Sequence, residues 1–313
     1  MKKIIKKLFI CLILILILCL SFFFEKPIYN FLNKKVADIE KQLSNSKFQI
    51  HFVDVGQADA IAIKLPNNKT MLIDSGLSET SEKLVKYLEK YILGESKVID
   101  YFIITHPHLD HCGGAEKVFA CFDIKNFFTP YVSADAINNE NIDYNINQFK
   151  NLISYAKSET LCQITYVDYT TENILGDDFL IEFLSPFDIV STINDFSPLI
   201  LITYNSRKFL FTGDAEEFTE QKVLSYYQDK LKNVDVLKVG HHGSKTSSSA
   251  DFVNFLMPEY SIISVGRNNE YSHPNQHVIN RLKENGIDVG NNIYTVEAAT
   301  KAILRYLENK HRK

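Results

Sequence analysis

Thr105-His106-Pro107-His108-Leu109-Asp110-His111 is the stretch on which the reading of this chain turns. Three imidazoles and a carboxylate fall within six residues, directly after the strand-like apolar run Val98 to Thr105. Nitrogen and oxygen donors crowded this tightly suit a borderline divalent cation such as zinc. A cation held there can activate water, so the pattern points to a hydrolase rather than a plain binding module. Core packing rarely explains several histidines and an acid in one turn.

Outward from this run, Gly113-Gly114 allows a tight turn and Ala115 to Cys121 starts a helix. Upstream, Phe48 to Val55, Asp59 to Leu65 and Thr70 to Ile73 read as strands, and Glu79 to Leu93 as an amphipathic helix. Val132 to Leu161 is polar and Asn-rich with helical stretches, and is expected to be a surface insertion over a site. Downstream, strands are expected over Ile164–Tyr169, Phe179–Leu184, Leu199–Tyr204, Lys208–Phe211, Val234–Val239 and Tyr260–Val265. Helices are expected over Glu216–Leu231, Ala250–Leu256 and Gln276–Asn285. Polar groups recur at the strand ends: Asp54, Asp59, Asp74, the His run, Asp214 and His241. Such loops are where a rigid scaffold presents reactive groups. Taken singly, Asp74 in Asp-Ser-Gly or Asp214 after Gly213 would be an ordinary turn former.

The N-terminus has a different character. Residues 1–7 carry four lysines, and Leu8 to Phe24 then runs without a charge. That length lies within the span of a membrane helix, about 17–25 residues. No small-residue cleavage site follows Phe22-Phe23-Phe24-Glu25, so an uncleaved anchor is expected over residues 1–27. The lysines place the N-terminus in the cytoplasm and the body beyond the membrane. Secretion after cleavage is the alternative. Residues 28–47 read as a helical spacer and 48–313 as the functional domain. Removing the four N-terminal lysines takes the formal net charge from −4 to −8. An acidic body excludes nucleic-acid binding over its whole surface and leaves room only for a local basic patch. The five cysteines have no CxxC spacing, which argues against a disulfide framework or a cysteine-rich zinc site.

His-Pro-His-Leu-Asp-His resembles the HxHxDH signature of the metallo-β-lactamase fold superfamily. Asp54-Val55-Gly56-Gln57-Ala58-Asp59-Ala60 resembles the DVGQGDA segment of ComEC-type DNA-uptake proteins, in their hydrolase domain. Thr212-Gly213-Asp214-Ala215-Glu216, Leu237-Lys238-Val239-Gly240-His241-His242-Gly243-Ser244 and Ser264-Val265-Gly266 with Ser272-His273-Pro274 resemble further motifs of that domain, in the expected order. The resemblance implies an α/β (α+β) fold, a four-layer αββα sandwich behind one N-terminal transmembrane helix, with the metal site at one edge of the paired sheets. It implies one or two Zn²⁺ ions, with Mn²⁺ as a substitute. His106 and His108 would hold one metal, Asp110, His111 and His241 a second, and Asp214 would bridge. Asp110, His242 and Lys245 are the expected catalytic groups. Asp54, Asp59, Asp74, Asp195, Ser244, Arg267 and His273 are expected in support of the ligands or against substrate.

Two departures stand out. No histidine lies between His111 and His241, where most hydrolases of the superfamily carry a ligand. Asp195 or water is the expected replacement at the first metal. The sequence also shows at most one candidate membrane span, so a DNA channel is not expected of it. Lys238, Lys245 and Arg267 are expected to form a local anion pocket. Ser244, Ser247, Ser248 and Ser249 add hydroxyls to it, or simply cap the following helix. The expected function is a metal-dependent nuclease or phosphodiesterase acting on DNA, with no obligate protein partner. A lactone, ester or thioester hydrolase of the same fold is the alternative, and a silent binding module is the reading from another class.

Overall fold

The central strands among the described residues are apolar on both faces, and period-two alternation sends neighbouring residues to different layers. The computed structural model describes residues 47–132, 143–185, 192–287 and 293–295. The chain divides into two compact units, residues 1–46 and 47–313, and the described residues belong to the second. The expected anchor and spacer therefore lie outside the described residues, except Lys47. No helix among the described residues is long and apolar enough to cross a membrane.

Two sheets form the body. The first has the order β1 (Gln49–Phe52), β2 (Ile61–Lys64), β3 (Thr70–Ile73), β4 (Val98–Ile103), β5 (Asp123–Pro130), β6 (Gln163–Val167). The second runs β13 (Ile293–Thr295), β12 (Tyr260–Ile263), β11 (Val236–Lys238), β10 (Arg207–Phe211), β9 (Leu199–Tyr204), β8 (Phe179–Leu184), β7 (Ile174–Leu175). Met71, Ile73, Tyr101 and Ile103 point between the sheets, where they meet Ile200, Ile202, Phe209 and Phe211. Their alternates Leu72, Phe102 and Ile104 face outward onto α1 (Ser81–Tyr87) and α3 (Ala115–Cys121). In the second sheet Leu201, Leu210 and Leu237 likewise face α5 (Glu217–Leu231) and α6 (Ala250–Leu256). The described layers are thus helices, sheet, sheet, helices. Each Phe, Leu or Ile removed from water contributes about 1.5–3 kcal/mol, which is why both faces are apolar.

One strand escaped the sequence reading, and one expectation needs correction. β5 is an eight-residue strand that the polar residues Asp123, Lys125 and Asn126 conceal in the sequence. The Asn-rich middle region, where described, is not an insertion over the site. Helix α4 (Asp143–Ser158) buries Phe149, Leu152 and Ala156 in the outer core shared with α3, and it connects β5 to its parallel neighbour β6. A parallel pair needs such a crossover.

The site follows from the strand directions. β3 and β4 are parallel, as are β10, β11 and β12. Their C-terminal ends release Asp74, the His run with α2 (Leu109–Cys112), Asp214, the 240–243 turn and Ser264 at one edge of the paired sheets.

Candidate metal centre

Asp214 lies at the middle of the edge. Its Oδ2 is 3.2 Å from His111 Nε2, 3.6 Å from His242 Nε2, 3.7 Å from His241 Nε2 and 4.0 Å from His106 Nε2. One donor atom from each of Asp59, His111, Asp214 and His242 falls within a 4.8 Å group, and all four residues are buried. His111 Nε2 and Asp214 Oδ1 make no hydrogen bond. Buried polar atoms are rarely left without a partner, so convergent donors of this kind fit a divalent cation.

The supporting hydrogen bonds orient the donors. His111 Nδ1 donates to Asp74 Oδ2 at 2.8 Å, which turns Nε2 toward Asp214. Asp74 in turn accepts from the backbone N and the hydroxyl of Thr105. His242 Nδ1 donates to the Ser264 carbonyl at 2.9 Å, leaving Nε2 toward Asp214 and 3.2 Å from Asp110 Oδ2. Carboxylate or carbonyl partners behind an imidazole fix its tautomer and raise its basicity. Asp74, His241 and His242 all have positive φ, at 57°, 48° and 52°. Such geometry costs non-glycine residues about 1–2 kcal/mol each and clusters at functional sites. Here His241 N donates to the Gly213 carbonyl and Ser244 N to the His241 carbonyl, which hold the turn closed.

The electrostatics agree. Burial would lower His111, but Asp214, Asp74 and Asp110 raise it well above the usual imidazole value. Burial would raise Asp214, but His111, His242 and His106 hold it well below the usual carboxylate range. His106 is driven down by burial, then by His111 and His108.

The structure places the remaining sequence candidates as follows. His106 Nε2 and His108 Nδ1 are 3.0 Å apart, and His106 Nδ1 faces Ser197 Oγ at 3.2 Å. Asp110 and His108 line a cavity of about 500 Å³ together with Gln57, His241, Tyr271 and His273. His241 is partly exposed, between Asp214 and Glu216. The tight buried group contains His242, and His241, the ligand the resemblance implies, lies beside it with Nε2 at a similar distance from Asp214.

Asp195 does not complete a metal shell. Its Oδ2 accepts from Thr192 and its Oδ1 from Glu216 N, so it serves the loop. Lys238 is not part of an anion pocket. It is fully buried, and its Nζ pairs with Asp59 Oδ2 at 2.6 Å. Lys245 is exposed and lines neither described cavity. Ser244 is buried with its Oγ against Thr246. Ser249 caps α6 by accepting from Phe252 N, the alternative the sequence left open. Asp54 pairs with Lys83 and lines a second cavity of about 610 Å³ with Arg267, Asn269 and His273. Asn194, Ser197 and Glu216, all touching site histidines, escaped the sequence reading as site residues. Only the resemblance of Glu216's motif hinted at one of them.

Residues 53–138 match the sequence profile of the Metallo-beta-lactamase superfamily. That match and the buried Asp/His cluster support a hydrolase. ComE operon protein 3 of Bacillus subtilis (strain 168) is 30% identical over 268 residues, which are 78% of this chain and 32% of that protein. Recombination protein 2 of Haemophilus influenzae is 31% identical over 249 residues, 77% of this chain and 27% of that protein. The chain therefore spans about a third or less of the length of the curated relatives it matches. Among solved structures, Igni18, a metallo hydrolase of the archaeon Ignicoccus hospitalis, is similar at 14% identity and a TM-score of 0.45, over 79% of this chain and 94% of its own.

Proposed function

We propose that this chain is a metal-dependent phosphodiesterase that cleaves nucleic acid, held at the outer face of the cell membrane by residues 8–24. The observation that carries the reading is the buried donor group around Asp214, opening through Asp110 into the 500 Å³ cavity. The resemblance of the motifs to ComEC-type DNA-uptake proteins and the similarity to a protein named Recombination protein 2 support nucleic acid as the substrate.

Asp214, His111 and His242 would hold the principal cation, Zn²⁺ or Mn²⁺, with His106 and His241 near the same carboxylate and His108 against His106. Bound there, the metal supplies Lewis-acid charge and lowers the pKa of water toward about 7. The side chain of Asp110 is 28% exposed, and its Oδ2 is placed to take a proton from water in the cavity. Against burial, the charges of His111 and then His242 hold that carboxylate below its ordinary range before a cation is bound. Asp74 holds His111 in position, and Lys238 neutralises Asp59 beneath the site.

The acidic body favours a second reading, a hydrolase of small lactones, esters or thioesters. One assay separates the two. The full chain, stripped of metal and reloaded with Zn²⁺ or Mn²⁺, is given plasmid DNA, single-stranded DNA and a chromogenic lactone or ester. Cleavage of DNA is expected. DNA left intact under every metal, with turnover of the lactone or ester, refutes the phosphodiesterase. External protease on intact cells is expected to remove the body, and protection would reverse the topology.

A further inference from the structure

The loop between β12 and α7 (Gln276–Glu284) presents a bare aromatic ring beside the metal cavity. Tyr271 is 68% exposed, yet its ring is not adrift. It stacks on His273 with centroids 5.8 Å apart and planes at 27°. His273 in turn meets His241 edge-on at 5.7 Å. Three rings therefore lead from solvent to the Asp214 group. The loop is built to hold this arrangement. Asn269 Nδ2 donates to the carbonyls of Gly266 and His273, and its Oδ1 accepts from Tyr271 N and His273 N. Gly266 N donates to Gln57 Oε1 at 2.8 Å, which ties the loop to the cavity rim. His273 is also the wall shared with the second cavity, where Arg267 and Asn268 supply polar groups.

A large apolar face kept exposed on a preorganised loop needs a reason. Next to a site for phosphodiesters, the partner with the right shape and chemistry is a planar base. Duplex bases cover one another's faces, whereas unstacked bases of a single strand offer theirs. From this geometry we infer that Tyr271, backed by His273, is a base-stacking platform that makes the site prefer single-stranded over duplex nucleic acid. Tyr271 is a specificity-determining residue and takes no part in the bond-breaking step. This inference rests on the phosphodiesterase reading.

The test uses the full chain, a fluorescein-labelled single-stranded oligonucleotide, its duplex, and an abasic strand of equal length and charge. Binding is read by anisotropy in EDTA, and KM by cleavage with Mn²⁺. Stacking on one base is lost in Tyr271→Ala, so Kd and KM for the single strand rise at least about fivefold. Tyr271→Phe keeps the ring and restores the wild-type values. Removing the bases and removing the ring are not additive, because each abolishes the same contact. Equal affinity of Tyr271→Ala and wild type for the single strand overturns the platform, as does the same loss on the abasic strand. The two failures are distinguishable. Cleavage without dependence on Tyr271 sinks the platform alone. Tyr271-dependent binding without cleavage sinks the phosphodiesterase alone. A wild-type chain that neither binds nor cleaves DNA sinks both.

Discussion

Replacing Lys238 by Met tests whether the floor of the site is an ion pair that works only as a pair. Lys238 and Asp59 both have 0% side-chain exposure, and Nζ lies 2.6 Å from Oδ2. Burial would lower the ammonium's pKa, but Asp59, Asp214 and Asp74 raise it above its ordinary value, so the charge persists. Removing it keeps most of the stem's packing but strands the Asp59 carboxylate away from water. Breaking a buried pair from one side costs about 3–5 kcal/mol, against a total stability of about 5–15 kcal/mol for a typical domain. Removing both charges, as in Asp59→Asn with Lys238→Met, costs far less, because no uncompensated charge remains. The expected outcome is a Lys238→Met chain near the limit of stability and a double variant that recovers most of the loss. Urea unfolding of the metal-free full chain, followed by circular dichroism, reads both values by linear extrapolation. A loss below about 1 kcal/mol in Lys238→Met, or a double variant as unstable as the sum of its singles, would show that the pair is not coupled.

Two further outcomes follow from the same geometry. Asp74→Asn removes the carboxylate that orients His111, and metal affinity is expected to fall about 10- to 100-fold in a chelator competition. Unchanged affinity would mean that His111 is no ligand. Burial raises the Glu220 carboxyl from 4.5 to about 7, against the backbone N–H groups of Ser248 and Ser249 that it accepts. The folded chain then holds a proton that the unfolded chain releases. That contribution to stability is complete below pH 4.5 and is lost as pH rises to about 7. Relative to Glu220→Gln, which cannot titrate, the wild type is expected to lose about 3 kcal/mol over this window in unfolding experiments. Parallel stability curves for the two chains would contradict it.

Much of this protein was legible locally. The donor types in His106–His111, the turn formers around Asp74 and Asp214, and the apolar runs of β2 to β4 are properties of adjacent residues. Period and composition suffice for such features. β5 was illegible because its exposed end carries Asp123 and Lys125, and its strand character comes from pairing with β4 and β6. The Asn-rich stretch looked like a surface insertion because Phe149, Leu152 and Ala156 in a polar helix give too weak a periodic signal.

Within the site the division is sharper. The sequence alone determined that a metal-type donor set exists and that polar groups recur at strand ends; the resemblance of its motifs joined Asp214 and the His241-His242 pair to that set. Only the tertiary structure decided which donor goes where. His242 rather than His241 enters the buried group because its Nδ1 finds the Ser264 carbonyl at the end of β12. Asp195 turns away because Glu216 N and Thr192 claim its oxygens. Lys238, expected in an anion pocket, is buried because Asp59, far away in the chain, supplies its counter-charge. Residue type sets what a side chain can bond. Its destination depends on which distant group satisfies that bond once water is gone, and that partner is chosen by the packing of the two sheets.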